Sequence, residues 1–378
     1  MKIVFLCGSL EIGRDGVGDY VRRLAIELSQ YEHQVTGIAL NDHYVTEETS
    51  SLSQIEDNNI SIIRLPSIWS SKQRFNRVQY WIDMSNPEWI SLQFVPFSFH
   101  HKGLHFGLTE QLIKVGKNRL WHIMVHELWV GMEKETSIKY RYWGEVQKYL
   151  IKNLIAKINP KVIHTQLLLY KIELAKMGFV SNLLLLFSNI PAANKVLNKN
   201  SVLVKNTSAY KNEISLIVFG HIHPDAPINQ FAYDASQYAK RNNIVISLTM
   251  IGRCGSEQEH WAAQWKSFNL PVRILGEQNA ECISLTLQNS SLGIATNPIH
   301  LVGKSGTAAA MKEHGLPIIC VSRPWNPRDT KELELPANIY AYSEGEFDKY
   351  IDNYLYISAP SDISAVSQQL LHDLLNAN

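Results

Sequence analysis

Two loops bring together residues suited to holding an anion. The first, "SLEIGRDGVGDY" (9–20), sets Gly13, Gly16 and Gly18 between an apolar run, "KIVFLC", and a long amphipathic segment. Glycine at a helix start lets backbone N–H groups approach a phosphate closely, and the helix dipole favours negative charge there. The spacing is neither G-x-G-x-x-G nor a Walker loop, so no dinucleotide or ATP fingerprint is present. A tight strand-to-helix connection without any ligand fits this stretch equally well. The second loop, "GKSGT" (303–307), places Gly303, Lys304, Ser305, Gly306 and Thr307 ahead of a run of small residues. Amides, hydroxyls and a positive charge at a helix start suit a diphosphate. The plainer reading is Ser305 as helix cap with Lys304 solvated.

Histidines and carboxylates are the next candidates. His126 and Glu127 directly follow the apolar run "LWHIMV" (120–125). A histidine at a strand end can serve as a general base, or simply be hydrogen-bonded there. Asp19 and Glu11 are weaker base candidates, since Asp19 also suits a solvated first helical turn. The pair His122 and His126 has zincin-like spacing, but on a strand these positions lie about 13 Å apart, so no metal site is expected. In "FGHIHPDA", His221 and His223 point the same way from an extended segment. They could hold a metal or contact a phosphate. Arg253, in "MIGRCGSE", is either a second phosphate partner or a surface arginine. The segment "SIWSSKQRFNRVQYWIDM" (67–84) mixes Lys72, Arg74 and Arg77 with Trp69, Phe75, Tyr80 and Trp81. It suits a sugar or anionic acceptor, or a helix packing its aromatics inward.

These residues need strands and helices to place them. Short apolar runs, KIVFLC, QVTGIAL, ISIIRL, WISLQFV, LWHIMV, KVIHT and LLLLFS, read as strands, with helices at 17–31, 106–117, 136–158 and 167–177. After "NKVLNKNSVLVKNTSAYKNE" the alternation restarts with ISLIVFG, IVISLTMIG, PVRILG, SLGIAT, LPIICVS and IYAYS. Helices fall near 226–241, 256–268, 279–290 and 305–314. Strands apolar on both faces and joined by helices predict parallel sheets covered on both sides. The predicted architecture is two doubly wound α/β domains: residues 1–193, a linker at 194–213, and residues 214–358. A closing helix within 359–378 is expected to pack back on the first domain. In such sheets ligands bind outside the C-terminal ends of the strands, so the site is expected in a cleft between the domains.

The bulk numbers suit a globular chain of this kind. Its 378 residues carry 36 Lys and Arg against 35 Asp and Glu, a formal net charge of +1. That balance offers no general attraction for nucleic acid. The four cysteines, Cys7, Cys254, Cys282 and Cys320, are far apart and mostly within or beside apolar runs. They read as free thiols of a reducing, cytoplasmic environment. No apolar run reaches the roughly 18 residues of a membrane span, although the 67–84 segment permits peripheral membrane contact.

With these residues in view, the chain resembles a glycosyltransferase of the GT-B fold over nearly its whole length. "MKIVFLCGSLEIGRDGVGDYVRRLAIELSQYEHQVTGIAL" is similar to the opening strand, glycine loop, helix and second strand of that superfamily. "PEWISLQFVP", "VHELWVG", "KVIHTQLLLYKIEL" and "LLLLFSNIP" fall at successive strand ends of its acceptor domain. "ISLIVFGHIHPDA" and "GKSGTAAAMKEHGLPII" resemble the first strand and the phosphate loop of its donor domain. The large bacterial group of retaining enzymes that use nucleotide sugars is the nearest in pattern. The resemblance implies a nucleoside-diphosphate sugar as donor, held without a metal or other cofactor, and a small-molecule, glycan or lipid-linked acceptor. It also implies that Gly16 and Val17 face the donor phosphate and that His126 contacts the donor sugar. Leu275, Gly276 and Glu277 would lie against the nucleotide base.

Two departures stand out. The group has two glutamates eight residues apart around the phosphate loop, where this chain has Val302 and Ala310. It also has Arg and Lys after the donor domain's first strand, where His221, His223 and Asp225 stand here. "GKSGTAAA" is nearer the loops of inverting GT-B enzymes, so both stereochemical outcomes remain in play. Two other functions fit the same pattern: a nucleotide-sugar epimerase, and a degenerate module that binds nucleotide sugar or glycan without turnover.

Overall fold

In the computed structural model, residues 1–55, 58–192, 213–328, 333, 339–352 and 363–377 are described. They form two compact units. The first runs over Met1–Leu185 and takes in the described residues of 326–331 and 363–378. The second holds Leu186–Trp325 and the described residues of 332–362. The expected linker, 194–213, lies outside the described residues except for its last position.

In the first unit, β1 (Lys2–Cys7), α1 (Gly16–Gln30), β2 (Gln34–Asp42), β3 (Thr49–Ile55), β4 (Asn58–Pro66) and α2 (Ser71–Ser85) come first. Then follow β5 (Trp89–Phe94), α3 (Pro96–Phe99), α4 (Leu108–Val115), β6 (Leu120–Val125), α5 (Ile138–Ile158), β7 (Val162–Thr165), α6 (Leu168–Lys176) and β8 (Asn182–Leu183). Their sheet has the order β3-β4-β2-β1-β5-β6-β7-β8. Its pairs are parallel apart from β3 with β4, an antiparallel edge that the apolar pattern did not announce. β1 and β5 are buried along nearly their whole length, because helices cover both faces.

The predicted strand LLLLFS is shorter than its composition suggests. Only Asn182 and Leu183 pair with β7. Leu183 and Leu185 are exposed while Leu184 and Phe187 are buried, as at a sheet margin where the chain passes into the second unit.

In the second unit, β9 (Glu213–Phe219), α7 (Ile228–Asn242), β10 (Val245–Ile251), α8 (Gln258–Ser267), β11 (Val272–Gly276) and α9 (Ala280–Gln288) alternate. They lead to β12 (Leu292–Ala295), a 3-10 turn at Ile299–Lys304, α10 (Gly306–Glu313), β13 (Ile318–Cys320), β14 (Ile339–Ala341) and α11 (Phe347–Asp352). The sheet order is β11-β10-β9-β12-β13-β14, parallel throughout. Alternation along β9 sends Leu216 and Val218 to one apolar layer, with Phe231, Trp261 and Trp265. Ile217 faces the other, with Leu287, Ala308 and Met311. The final helix, α12 (Ile363–Asn376), belongs to the first unit and buries Val366, Leu370 and Leu374 there. Cys7, Cys254 and Cys320 are buried free thiols, and Cys282 is half-buried.

Candidate functional site

Each sheet reverses its winding direction once, and each reversal lies beside a predicted loop. In the first unit β1 is flanked by β2 and β5, and in the second β9 is flanked by β10 and β12. The crevice at the C-terminal ends of such strands is where doubly wound folds take ligands.

The loop after β9 meets the start of α10. Gly220 has φ +79°, and a Cβ there would come within 2.7 Å of Thr307 Cγ2, so only glycine lets the loop and the helix lie this close. Gly293 does the same from β12, where a Cβ would lie 2.5 Å from Met311 Sδ. Ser305 caps α10, accepting from the Ala308 N–H at 3.3 Å, and its hydroxyl is 3.0 Å from that of Thr307. Gly306 has open space around it. Lys304, half-buried, is the last residue of the 3-10 turn.

The histidines complete this cluster. Thr296 Oγ1, just past β12, accepts from the His223 N–H at 2.9 Å and donates to His221 O at 3.3 Å. Asn297 Nδ2 lies 2.9 Å from His223 Nε2, and the His221 and His223 rings meet edge to face at 5.2 Å. The His223 pKa is lowered, first by burial and then by the charges of His221 and Lys304. One ammonium and two imidazoles thus lie by the N-terminal end of α10, where the Lys304 charge and the helix dipole attract an anion. Arg253 stands apart from it in one respect: it pairs with Glu277 at 3.2 Å, both side chains being largely exposed. Leu275 and Gly276 end β11, and Gly276 (φ +63°) has no neighbour where a Cβ would sit.

The first loop is built differently. Asp15 caps α1, its carboxylate accepting from the Gly18 N–H at 2.7 Å. Burial raises the Asp15 pKa, against hydrogen bonds from the Gly18 and Val17 amides that lower it. Asp19 accepts from the Gly13 N–H at 2.9 Å and so braces the loop. Buried Asp42 holds the Leu10 N–H at 3.1 Å and pairs with Arg64 at 2.7 Å, and Arg64 also reaches Glu11. Gly16 keeps open space where a Cβ would sit, whereas Gly18 lies against Ser9 O.

His126 follows β6, and the parallel register sets Gln166, which follows β7, beside it. Its Nε2 lies 2.9 Å from Gln93 Oε1 and its Nδ1 2.5 Å from Gln166 Nε2. The ring is 5% exposed and meets Tyr20 edge to face at 5.1 Å. Burial lowers its pKa to about 3. Both ring nitrogens thus have a side-chain partner, as expected of a histidine hydrogen-bonded at a strand end. Glu127, half-buried beside it, donates its N–H to Phe94 O at 3.4 Å. Gln93 and Gln166 went unread because amides carry no signal of their own. The recurrence of polar residues two apart in "SLQ" and "HTQ" was the available clue.

From Ser71 onward segment 67–84 is the helix α2, with a Ser70–Gln73 capping box, and it buries Phe75, Val78 and Ile82. Its two arginines are tied internally: Arg77 grips Glu48 at 2.5 and 2.8 Å, the Trp81 indole shares Glu48, and Arg74 donates to Leu40 O at 2.9 Å. Among the described residues no group of three His, Cys, Asp or Glu side chains is placed to hold a metal ion, and no helix is long and apolar enough to cross a membrane.

The two parallel α/β units define the GT-B fold, and solved structures of that fold match the chain from end to end. No protein-family model and no curated protein matches it by sequence. HepE of Anabaena, solved with UDP and glucose, is similar over 100% of both chains, at 12% identity and a TM-score of 0.59. A UDP-N-acetylglucosamine 2-epimerase of Listeria monocytogenes, so designated in its crystal structure, matches 99% of this chain and 95% of its own at 11% identity (TM-score 0.58). A UDP-forming α,α-trehalose-phosphate synthase of Burkholderia xenovorans covers 100% of this chain and 99% of its own at 9% identity (TM-score 0.55).

Proposed function

We propose that this protein is a glycosyltransferase that binds a nucleoside-diphosphate sugar and transfers the sugar to a hydroxyl or similar nucleophile. The observation that carries the reading is the polar N-terminal end of α10, where Lys304 supplies a positive charge. Lys304, His221 and His223 gather there with the Gly306 and Thr307 amides, at the reversal point of a doubly wound sheet. UDP is the nucleotide to test first, since HepE was solved with it. Leu275, Gly276 and Glu277 would hold the base, and Arg253 would add a phosphate contact once released from Glu277.

The departing diphosphate needs its charge stabilised. Lys304 and the α10 amides supply that directly, so activity is expected to survive exhaustive EDTA treatment. Loss that magnesium or manganese restores would mean the charge is balanced otherwise. A retaining route, in which the leaving phosphate oxygen takes the acceptor's proton, needs no protein base. It suits a His126 with both nitrogens engaged, and leaves Glu127 and Asp19 as the carboxylates to test for an inverting one. Val302 and Ala310, at the family's glutamate positions, are 1% and 0% exposed. A carboxylate is therefore contributed from neither place, and Lys304 and His221 take over the donor contacts.

The test is a thermal-shift screen of nucleoside diphosphates and their sugars, followed by product analysis. A ligand at 100 times its Kd adds about 2.7 kcal/mol of stability. The likeness to a 2-epimerase favours a second reading, which donor-only incubation separates: an epimerase alters the sugar with no acceptor present. Binding with no product in either assay would leave a non-catalytic nucleotide-sugar module.

A further inference from the structure

We propose that Asp373, on α12, is a positioning residue for His126. Through an unbroken line of hydrogen bonds its carboxylate fixes the tautomer of that ring and the orientation of the Gln166 amide beside it. Strand periodicity puts Ser91 and Gln93 of β5, His122 and His126 at β6, and His164 and Gln166 at β7 on one face of the sheet. Six buried polar side chains in a parallel-sheet core are costly unless each is paired. They are paired in series. His164 Nε2 meets Asp373 Oδ2 at 2.8 Å, and His164 Nδ1 meets His122 Nε2 at 3.0 Å. His122 Nδ1 meets Ser91 Oγ at 2.7 Å, and Gln93 Nε2 meets the same hydroxyl at 2.7 Å. Gln93 Oε1 then takes His126 Nε2, and Gln166 Nε2 closes the line on His126 Nδ1.

An ionised carboxylate can only accept, and that decides every bond in turn. His164 must carry its proton on Nε2, so its Nδ1 accepts from His122 Nε2–H. His122 Nδ1 then accepts from Ser91, Ser91 accepts from Gln93, and Gln93 Oε1 accepts from His126 Nε2–H. His126 Nδ1 is left to accept from the Gln166 amide. Reversing the line requires a donor where Asp373 stands. Gln166 would then offer its oxygen to His126 and turn its NH2 the other way. In the present direction Gln166 Oε1 is buried with no hydrogen-bond partner among the described residues. Resting on the donor-sugar reading above, that oxygen is an acceptor for a hydroxyl of the bound sugar. One charge on the terminal helix thus sets whether the strand ends present an acceptor or a donor.

The experiment is long-range ¹H–¹⁵N correlation on full-length, ¹⁵N-histidine-labelled protein at pH 7, with Asp373→Lys as a donor-only replacement. In the parent, His122, His126 and His164 are expected as neutral rings protonated at Nε2. In the variant all three should change together to Nδ1–H. A parent in which the three rings do not share the Nε2–H tautomer overturns the proposal, even if the variant does not fold. So does a folded variant in which His126 keeps Nε2–H. For the sugar contact, the parent's preference for UDP-glucose over UDP should fall about tenfold in the variant. An unchanged preference overturns that part. A parent that binds neither ligand refutes the donor reading and leaves the tautomer result standing.

Discussion

Lys304 and His126 make opposite predictions because they occupy different surroundings. Lys304 is half-buried among polar groups at a helix start, so Lys304→Ala removes charge without opening the core. A charged hydrogen bond is worth roughly 1.5–3 kcal/mol, and 1.4 kcal/mol is a factor of ten. UDP binding, measured by calorimetry, should weaken about 10- to 150-fold while urea stability stays near the parent's. An unchanged Kd would place the diphosphate elsewhere. His126→Ala leaves Gln93 Oε1 and the Gln166 amide buried without a partner and empties the space against Tyr20. It should cost about 2–4 kcal/mol in urea denaturation yet leave the affinity for bare UDP nearly unchanged. Loss of UDP affinity with full stability would reverse these two assignments.

At the scale of elements, α1 separates packing from function within three residues. A Cβ at Gly18 would lie 2.6 Å from Ser9 O, a backbone atom held in a loop that Asp42 and Arg64 brace. Gly18→Ala should therefore destabilise the protein by about 1–3 kcal/mol. Gly16 has no atom within 4 Å of the same position. Gly16→Val should leave the unfolding midpoint near the parent's and, if this backbone faces the donor, cut turnover sharply. Normal turnover in Gly16→Val would make the first loop a structural turn, the role its capping by Asp15 already performs.

For the whole molecule, the buried histidines forecast acid sensitivity. Burial holds His122 and His164 below their ordinary pKa, and His126 and His105 fall to about 3 and about 4. The unfolded chain takes up these protons near pH 6.5, whereas the folded chain refuses them. Stability is therefore full above pH 6.5 and is lost as pH falls below it, by about 2 kcal/mol at pH 5 from His126 alone. Burial raises the Asp373 pKa, but hydrogen bonds from Gln369, His164 and His372 leave it lowered, so its contribution is lost only at lower pH. Urea denaturation between pH 7.5 and 5 checks this. A flat profile would mean that water or an added charge reaches these rings.

The apolar runs and their spacing by themselves determined two doubly wound α/β units, because strands covered on both faces must be apolar throughout and helices must alternate with them. The Ser305 cap of α10 was legible for a local reason: its hydroxyl accepts from an N–H only three residues along the chain. What stayed hidden depends on partners far along the chain. β3 pairs through backbone groups, which no side-chain pattern reports. The bonds of Asp15 to the Gly18 amide and of Asp19 to the Gly13 amide depend on the folded path of the loop, which residue types do not report. His126 read equally as a base or as a hydrogen-bonded strand-end residue, and only strand register set Gln93 and Gln166 on its two nitrogens. His164 meets Asp373 across 209 positions of sequence, and only the packing of the last helix against the first sheet could decide that contact.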